Sequence, residues 1–155
     1  SYFENNNVTS TTTGHGGAIE WYAKEGLVDN SEFVDNHAYK GGAIFVGQVA
    51  GDINITNSMF ANNSALTHGG AIDANASSVI MKSSDFYNNT AGENGGALFV
   101  GAHGATAYIT DAQFEEEVFP YPNKATLQVP RGSLERYKAS DWNKYFEGRI
   151  VEIEE

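Results

Sequence analysis

The chain has 155 residues, 41% of them hydrophobic, which is enough to build the core of one domain or of one domain with a small appendage. It contains no cysteine, which excludes disulfides and thiolate chemistry. No stretch approaches the roughly 18 consecutive apolar residues of a membrane helix, so we expect a soluble chain without a direct membrane span.

The net charge of −11 is confined to one part of the chain. Residues 1–117 hold 3 Lys and Arg against 14 Asp and Glu, whereas residues 118–155 hold 6 of each. An acidic surface repels phosphate backbones and anionic lipid. The charge therefore argues against nucleic acid as a partner and against electrostatic attachment to a membrane.

Two short motifs recur together in this acidic part. Two glycines followed by Ala and by Ile or Leu begin at positions 16, 41, 69 and 95, and phenylalanines recur at 33, 60, 86 and 114. An Asn follows three residues after the first three of these phenylalanines. Self-similarity at a fixed period is the signature of a solenoid. The motif residues of the central repeats are Phe33, Asn36, Gly41, Gly42, Ile44, Phe60, Asn63, Gly69, Gly70, Ile72, Phe86, Asn89, Gly95, Gly96 and Leu98.

Within each repeat the apolar residues alternate with period two, which predicts strands. Three short strands are expected per repeat: one after the glycine pair, one in the middle and one that contains the Phe. In the strand of the second repeat, Ile44 and Val46 are predicted to point inward, and Ala43 and Phe45 outward. The equivalent outward positions of the other repeats carry Glu20, Asp73 and Phe99.

Stacking of these turns gives an all-β fold, a parallel β-helix of about four coils in which each strand pairs with its counterpart one repeat later. Like residues then form ladders. Each glycine pair permits positive φ at a corner and lets successive coils approach without side chains in the way. The Asn of each Phe-x-x-Asn motif is expected to take a left-handed corner and to bond through its amide to the next coil.

The repeats end before residue 118, and residues 118–155 are predicted to form a small α/β capping module. We expect a strand at 125–129, a helix over about 134–146 with Ser133 as its N-cap, and a strand within 149–154. Such a module covers the open core and the unpaired edges that a solenoid otherwise exposes at its last coil. The predicted domains are 1–117, the β-helix repeats, and 118–155, the cap.

The combination of the two motifs resembles the repeats of the polymorphic outer-membrane protein family, autotransported bacterial adhesins. The likeness covers residues 1–114 and rests on the four glycine-pair segments and on the pairs Phe3/Asn6, Phe33/Asn36, Phe60/Asn63 and Phe86/Asn89. It implies a right-handed parallel β-helix in a secreted adhesin, located outside the cell or at the bacterial cell surface.

Residues 125–153 resemble a different family, the closing segment of bacterial surface leucine-rich-repeat proteins. The residues that carry this second likeness are Val129, Pro130, Gly132, Ser133, Tyr137, Trp142, Phe146 and Ile150. Together the two resemblances suggest a fragment of a larger surface protein.

The acidic residues do not gather as catalysis on a β-helix requires, which is on neighbouring coils. The column before the Phe reads Glu32, Met59, Asp85 and Gln113, so its acids stand two coils apart, about 9.6 Å by strand spacing. We therefore expect no catalytic residues. A polysaccharide lyase or glycoside hydrolase remains the alternative.

One column, directly before the glycine pairs, reads His15, Lys40, His68 and Asn94. A metal site prefers adjacent ligands without an intervening cation, so this column is interpreted as a polar corner. No cofactor or metal is expected, with calcium at the turns Asp35-Asn36 or Asn62-Asn63 as an alternative.

The outward aromatic residues Phe45 and Phe99 are the candidate ligand-facing residues, because exposed rings stack on sugars or on a protein partner. Coverage by a neighbouring loop is the alternative. The sequence predicts a noncatalytic, adhesin-like surface segment that presents variable loops and a flat face to a host protein or glycan. The competing hypotheses are a carbohydrate-active enzyme fragment and a purely structural stalk. The edge of the first coil can also pair with another copy of the chain.

Overall fold

Each strand lies beside the equivalent strand of the next repeat, and every strand pair in the described residues is parallel. The computed structural model describes residues 1–48, 51–75, 78–101, 106–110, 113–114, 126–129, 134–139 and 150–152; for 106–110, 113–114 and 126–129 it describes the backbone. The architecture is a parallel β-solenoid of about four turns, with almost no helix among the described residues, which confirms the predicted fold class.

The described strands form four sheets. The first contains the Phe strands: β1 Tyr2–Glu4, β4 Glu32–Val34, β8 Met59–Ala61, β12 Asp85–Tyr87 and β16 Gln113–Phe114. The second follows the glycine pairs: β2 Ile19–Trp21, β6 Ile44–Val46, β10 Ile72–Ala74 and β14 Leu98–Val100. The third comprises β3 Glu25–Asp29, β7 Asp52–Thr56, β11 Ser78–Lys82, β15 Thr106–Thr110, β17 Thr126–Val129 and β18 Ile150–Glu152. The fourth comprises β5 His37–Ala38, β9 Ser64–Ala65 and β13 Thr90–Ala91. The sequence pattern misses this fourth sheet, because a strand of two residues shows no alternation.

A column of phenylalanine rings runs through the first sheet. Phe3, Phe33, Phe60 and Phe86 are in register, with neighbouring ring centroids 4.7 to 4.8 Å apart and ring planes 2° to 4° apart. The last three rings are fully buried. Burial of a Phe side chain contributes about 1.5 to 3 kcal/mol, and an aromatic pair adds about 0.5 to 1.5 kcal/mol. The column is therefore a main source of the stability of the fold.

Aliphatic side chains form a second column in the sheet after the glycine pairs. Ile44, Ile72 and Leu98 are in register and buried, as predicted. The predicted outward position of Ala43 is wrong, because Ala43 and the equivalent alanines of the next two repeats belong to the core. The strand begins only at Ile44, so the alternation does not extend back into the corner.

The two glycines of each pair have different structural roles. The first has φ between +55° and +67° in all four repeats, the left-handed region that favours glycine. At the second, a side chain would collide with the next coil: a Cβ on Gly70 would overlap the backbone carbonyl oxygen of Gly96. The predictions of positive φ and of close stacking are both confirmed.

The Asn residues of the Phe-x-x-Asn motifs form a ladder of buried amides. Asn63 Oδ1 accepts hydrogen bonds from the backbone N–H and from Nδ2 of Asn36, at 3.1 and 2.9 Å. The same two bonds join Asn6 to Asn36 and Asn63 to Asn89. Asn63 Nδ2 also donates to the Phe33 carbonyl at 3.0 Å. The predicted amide bonds between coils are confirmed.

The left-handed conformation belongs to the residue before each ladder Asn. Asp35, Asn62 and Asn88 have φ of 54°, 56° and 52°. The prediction that the ladder Asn itself takes the left-handed corner is therefore wrong. The preceding residue turns the chain, and this turn leaves the Asn amide free to point along the stacking direction, where its hydrogen bonds lie.

Two strands and a short helix extend the solenoid at its C-terminal end. β17 pairs with β15 and β18 pairs with β17, so the third sheet continues beyond the repeats. The helix α1 spans Leu134–Lys138, and the Leu134 N–H donates to Glu152 at 3.2 Å. Ile150 is buried in the core, and Leu134 packs against this core.

The rest of the helix predicted to residue 146, beyond Ala139, lies outside the described residues, and the boundary at residue 117 stays a prediction. In the described part of the chain, no helix has the length and apolar character needed to cross a membrane.

Replacement of Phe60 by Ala should reduce the free energy of unfolding by about 3 to 5 kcal/mol, because it opens a cavity in the middle of the ring column. Leu27→Ala, at a side chain that is 63% exposed on β3, is the control and should change stability little. Urea unfolding followed by circular dichroism measures both. A loss below about 1 kcal/mol for Phe60→Ala would contradict the column as a main source of stability.

Replacement of Asn63 by Ala should also destabilise the chain, because it removes the partners of buried groups on both neighbouring coils. Each buried polar group that loses its bond costs about 1 to 3 kcal/mol. Asn62→Gly is the matched control, since Asn62 is exposed and glycine adopts its positive φ without strain. Equal stabilities of the two variants would show that the amide ladder contributes nothing.

Candidate functional site

The outward side of the second sheet carries a row of alternating acidic and aromatic residues. Glu20 of β2, Phe45 of β6, Asp73 of β10 and Phe99 of β14 are directly in register. The residues on either side of them belong to the core or pack against it, so this row lies on the outside of the sheet. We call this surface the outer face.

The first two coils contribute one cluster to the outer face. His15 Nδ1 lies 3.2 Å from Glu20 Oε1, and the Tyr22 hydroxyl donates to the same oxygen at 3.1 Å. The His15 ring is stacked on Phe45, with centroids 4.1 Å apart and planes 15° apart. The Tyr22 ring lies against Gly47, where any side chain would collide with it. We call His15, Glu20, Tyr22 and Phe45 the first cluster.

The next two coils contribute a second cluster, which consists of His68, Asp73, Asn75 and Phe99. Asn75 Nδ2 donates to Asp73 Oδ1 at 2.8 Å. The His68 ring packs at a tilt against Phe99, with centroids 4.6 Å apart. His68 Nε2 also lies 3.4 Å from Glu93 Oε2 at the rim of this cluster. Hydrogen-bonding groups and a ring thus converge here as they do in the first cluster.

The two clusters share two contacts. In each, the His of one coil packs on the Phe of the next coil, and the residue two positions after the acid bonds to its carboxylate. These two contacts therefore recur two coils apart, whereas the contacts of the core recur at every coil. The alternation is present in the four segments HGGAIEWY, KGGAIFVG, HGGAIDAN and NGGALFVG. An alignment on the one-coil period hides this signal, so the sequence pattern does not predict the clusters.

Phe45 points outward as predicted, but it is not an exposed ring. Only 7% of its surface is accessible, because it lies beneath His15 and Tyr22. Phe99 is half-buried against His68. The expectation that Phe45 offers a free stacking surface is therefore wrong, since side chains of the preceding coil cover it. A ligand on the outer face would first meet the residues that cover the rings.

Asp73 is a buried acid. It lies between Phe45 and Phe99 in the row, at the outward position that the sequence predicts, but it is only 1% exposed. Burial raises the pKa of Asp73 to about 7, although the Lys40 charge and the hydrogen bond from Asn75 act in the opposite direction. The carboxyl is therefore only partly ionised at neutral pH.

The surroundings of His68 favour its neutral form. Burial lowers its pKa and Lys40 acts in the same direction, while Glu93 opposes them. Its Nδ1 is buried and has no hydrogen-bond partner among the described residues. His68 therefore packs against Phe99 as an uncharged ring.

The columns of acids do not form a prearranged catalytic pair. Glu32, Met59 and Asp85 share one column, as the spacing predicts, and the acids stand two coils apart. On the outer face, Phe45 separates Glu20 from Asp73 in the same way. Two carboxyl groups that are two coils apart can act as acid and base only through a water molecule between them. In these columns the side chains of Met59 and Phe45 occupy the intervening position.

Metal ligands do not converge in the part of the chain that the structure describes, where no three His, Cys, Asp or Glu side chains are close enough to hold an ion. The predicted corner column is present, with His15 paired to Lys40 and His68 paired to Asn94. At the turns considered for calcium, the amide oxygens of Asn36 and Asn63 already accept two ladder bonds each. This removes one candidate calcium ligand from each turn.

Corners built from paired glycines, a ladder of buried amides and a parallel register define the chain as a solenoid repeat protein. Residues 57–75 and 83–101 each match the Chlamydia polymorphic membrane protein repeat. Each match begins at the turn before a Phe strand and ends after the strand that follows a glycine pair, so it contains both motifs. Together the matches cover about a quarter of the chain. No curated protein and no solved structure matches the chain.

The predicted resemblance to polymorphic outer-membrane protein repeats is confirmed for these two segments. That family is surface-associated, and the similarity of these two segments to its repeats suggests a surface adhesin-like passenger segment. The similarity supports a cell-surface location and is consistent with a protein that is not an enzyme.

The buried Asp73 should make the stability of the chain depend on pH. Its folded pKa of about 7 exceeds the ordinary value of 3.8, so the stability associated with its protonated form is fully present below pH 3.8 and is lost as the pH rises through 7. The loss reaches about 4 kcal/mol. Asp73→Asn should therefore remove this decline between about pH 4 and about pH 8, as measured by urea unfolding.

Leu27→Ala, which removes no charge, is the control and should keep the pH dependence of the wild-type chain. An Asp73→Asn variant with an unchanged pH dependence would show that the Asp73 carboxyl is not held protonated.

Proposed function

We propose that the chain is a noncatalytic, adhesin-like segment of a bacterial surface protein, and that its outer face binds a host protein or a glycan. The observation that carries this proposal is the pair of equivalent clusters on the outer face. They place histidine, hydroxyl and amide groups and the Glu20 carboxylate on the outer side of the sheet, away from the hydrophobic core. The core needs only the inward residues of the same strands.

The scaffold suits recognition because it holds the outer face in one geometry. Strands paired on both sides, buried amide bonds and stacked rings fix the spacing between coils. Binding then requires little ordering of the protein, which favours affinity. The variable loops beside the face are predicted to contribute as well; residues 49–50, 76–77 and 102–105 of these loops lie outside the described residues.

The proposal includes the absence of catalytic activity in this chain. An apolar side chain stands between the acids of the two columns on which catalysis would depend. The proposal is also supported by the similarity to repeats of surface proteins.

The chain should bind at least one member of an array of glycans or of host extracellular proteins. Tyr22→Ala should weaken this binding at least about tenfold. Tyr2→Ala is the matched control, because Tyr2 is as exposed as Tyr22, 57% against 53%, but lies on β1 of the first sheet. It should leave binding unchanged. Blank arrays would instead favour a purely structural stalk.

Acidic and neutral polysaccharides incubated with the chain, with and without calcium, should yield no new reducing ends and no unsaturated products. Turnover that is lost when one acid is replaced by its amide would overturn the noncatalytic assignment and favour a carbohydrate-active enzyme.

A further inference from the structure

The position of Asp73 suits a protonated carboxyl group and not a carboxylate. Its side chain is 1% exposed and stands between Phe45 and Phe99 in the row. Among the described residues it accepts one hydrogen bond, from Asn75 Nδ2 at 2.8 Å. An ionised carboxylate offers about four acceptor sites, and burial of a charge without partners is costly. Ionisation of Asp73 therefore requires a change in its surroundings.

The charged groups near Asp73 give it no partner in this arrangement. The titratable side chains around it come from three corners: Lys40 before β6, His68 before β10 and Glu93 before β14. Glu93 lies against His68 Nε2, at 3.4 Å. Lys40 forms no ion pair with any described residue, although its charge favours the ionised form of Asp73. Lys40 is therefore the cation toward which an ionised Asp73 would turn.

Contacts within the second cluster connect Asp73 to the ring of Phe99. Asn75, which holds Asp73, lies with the Phe99 ring over Gly101, where an added Cβ would meet both of them. His68 packs on the same ring, with centroids 4.6 Å apart. Its buried Nδ1 has no hydrogen-bond partner among the described residues. Movement of Asp73 out of its place would therefore free Asn75 and remove part of the cover of Phe99.

We propose that the second cluster is a cover that responds to pH: it is closed over Phe99 while Asp73 is protonated, and it opens when Asp73 ionises and turns outward to Lys40. Opening releases the Asn75 amide from Asp73 and exposes the Phe99 ring to a ligand of the outer face. This inference rests on the proposed function and specifies how binding at the same surface is regulated.

The direction of the response follows from the burial of Asp73. In the closed form the pKa of Asp73 is about 7, and in an open form exposed to water it returns toward the ordinary value of 3.8. The closed form is therefore fully favoured below pH 3.8 and loses this advantage as the pH rises through 7. Between these limits the ratio of open to closed molecules rises by up to about a thousandfold.

The test is an NMR titration of the full chain between about pH 5 and about pH 8. The ring resonances of Phe99 and His68 should change together with the carboxyl carbon of Asp73. The ring of Phe60, which is fully buried in the core, should not change. Nile red, an uncharged dye that fluoresces on exposed apolar surface, should become brighter over the same pH range.

Two variants should hold the cover in opposite states. Asp73→Asn keeps an acceptor for Asn75 but cannot ionise, so its cover should stay closed at every pH. Gly101→Ala places a Cβ where Asn75 and the Phe99 ring lie in the closed form. Its cover should be open, with the dye already bright, at about pH 5.

Two further variants separate the cover from the first cluster. Lys40→Gln removes the charge that favours ionised Asp73, so it should move the transition to higher pH. Gly47→Ala is the matched control for the glycine variant, because a Cβ there would meet the ring of Tyr22 in the first cluster. It should leave the pH response of Phe99 unchanged. Circular dichroism confirms that each variant is folded.

The arrays of glycans and host extracellular proteins, repeated at both pH values, connect the cover to binding. Because only open molecules present the Phe99 ring, the chain should bind at least about tenfold more tightly at pH 8 than at pH 5. Asp73→Asn should bind with an affinity that depends on pH much less, since it keeps the other titratable groups and loses only this one.

Rings that stay unchanged while Asp73 titrates would overturn the inference, and so would a pH response of Phe99 that persists in Asp73→Asn. If Tyr22→Ala weakens array binding but this binding is independent of pH, the proposed function stands and the inference fails. If the cover opens with pH while the arrays stay blank, the pH-sensitive cover stands and the proposed function fails.

Discussion

The pairing of each coil with the same positions of the next coil is the constraint on which the rest of the structure depends. It puts Phe60 between Phe33 and Phe86 and Asn63 between two other amides. Because identical side chains meet, each stacked position needs a residue type that packs favourably against the same residue type on the next coil. Flat rings stack, an amide both donates and accepts hydrogen bonds, and glycine leaves room for a carbonyl oxygen. Residue types that cannot contact their own copies favourably are confined to the outside and the loops.

The outer face departs from this one-coil rule, and this departure is what makes it a candidate binding surface. Glu20 and Asp73 alternate with phenylalanines, so like charges are kept two coils apart and each acid stands beside a ring. Electrostatic repulsion between neighbouring coils explains why acids do not fill the row. It does not explain why histidine, tyrosine and asparagine follow the same alternation.

Much of the fold could be predicted because solenoid stacking converts sequence period directly into register. The positions of Phe33, Ile44 and Gly69 relative to their copies follow from spacing alone. The sequence could not show that Ala43 joins the core, that positive φ falls on Asp35 and not on Asn36, or that Asp73 is buried. These properties depend on where a strand begins and on which neighbours cover a side chain. The repeat length of the sequence determines neither. The clusters of the candidate site were missed because their period is twice that of the core.

The amide ladder gives the solenoid a chemical direction. In each of the three described pairs the side-chain oxygen belongs to the later coil and both N–H donors belong to the earlier one. Any coil that precedes another in such a column must therefore bring its own amide N–H to the oxygen of the next Asn. Two columns joined with their oxygens facing each other would have no donor between them. Growth by added coils is therefore polar, as in a filament whose two ends are chemically distinct.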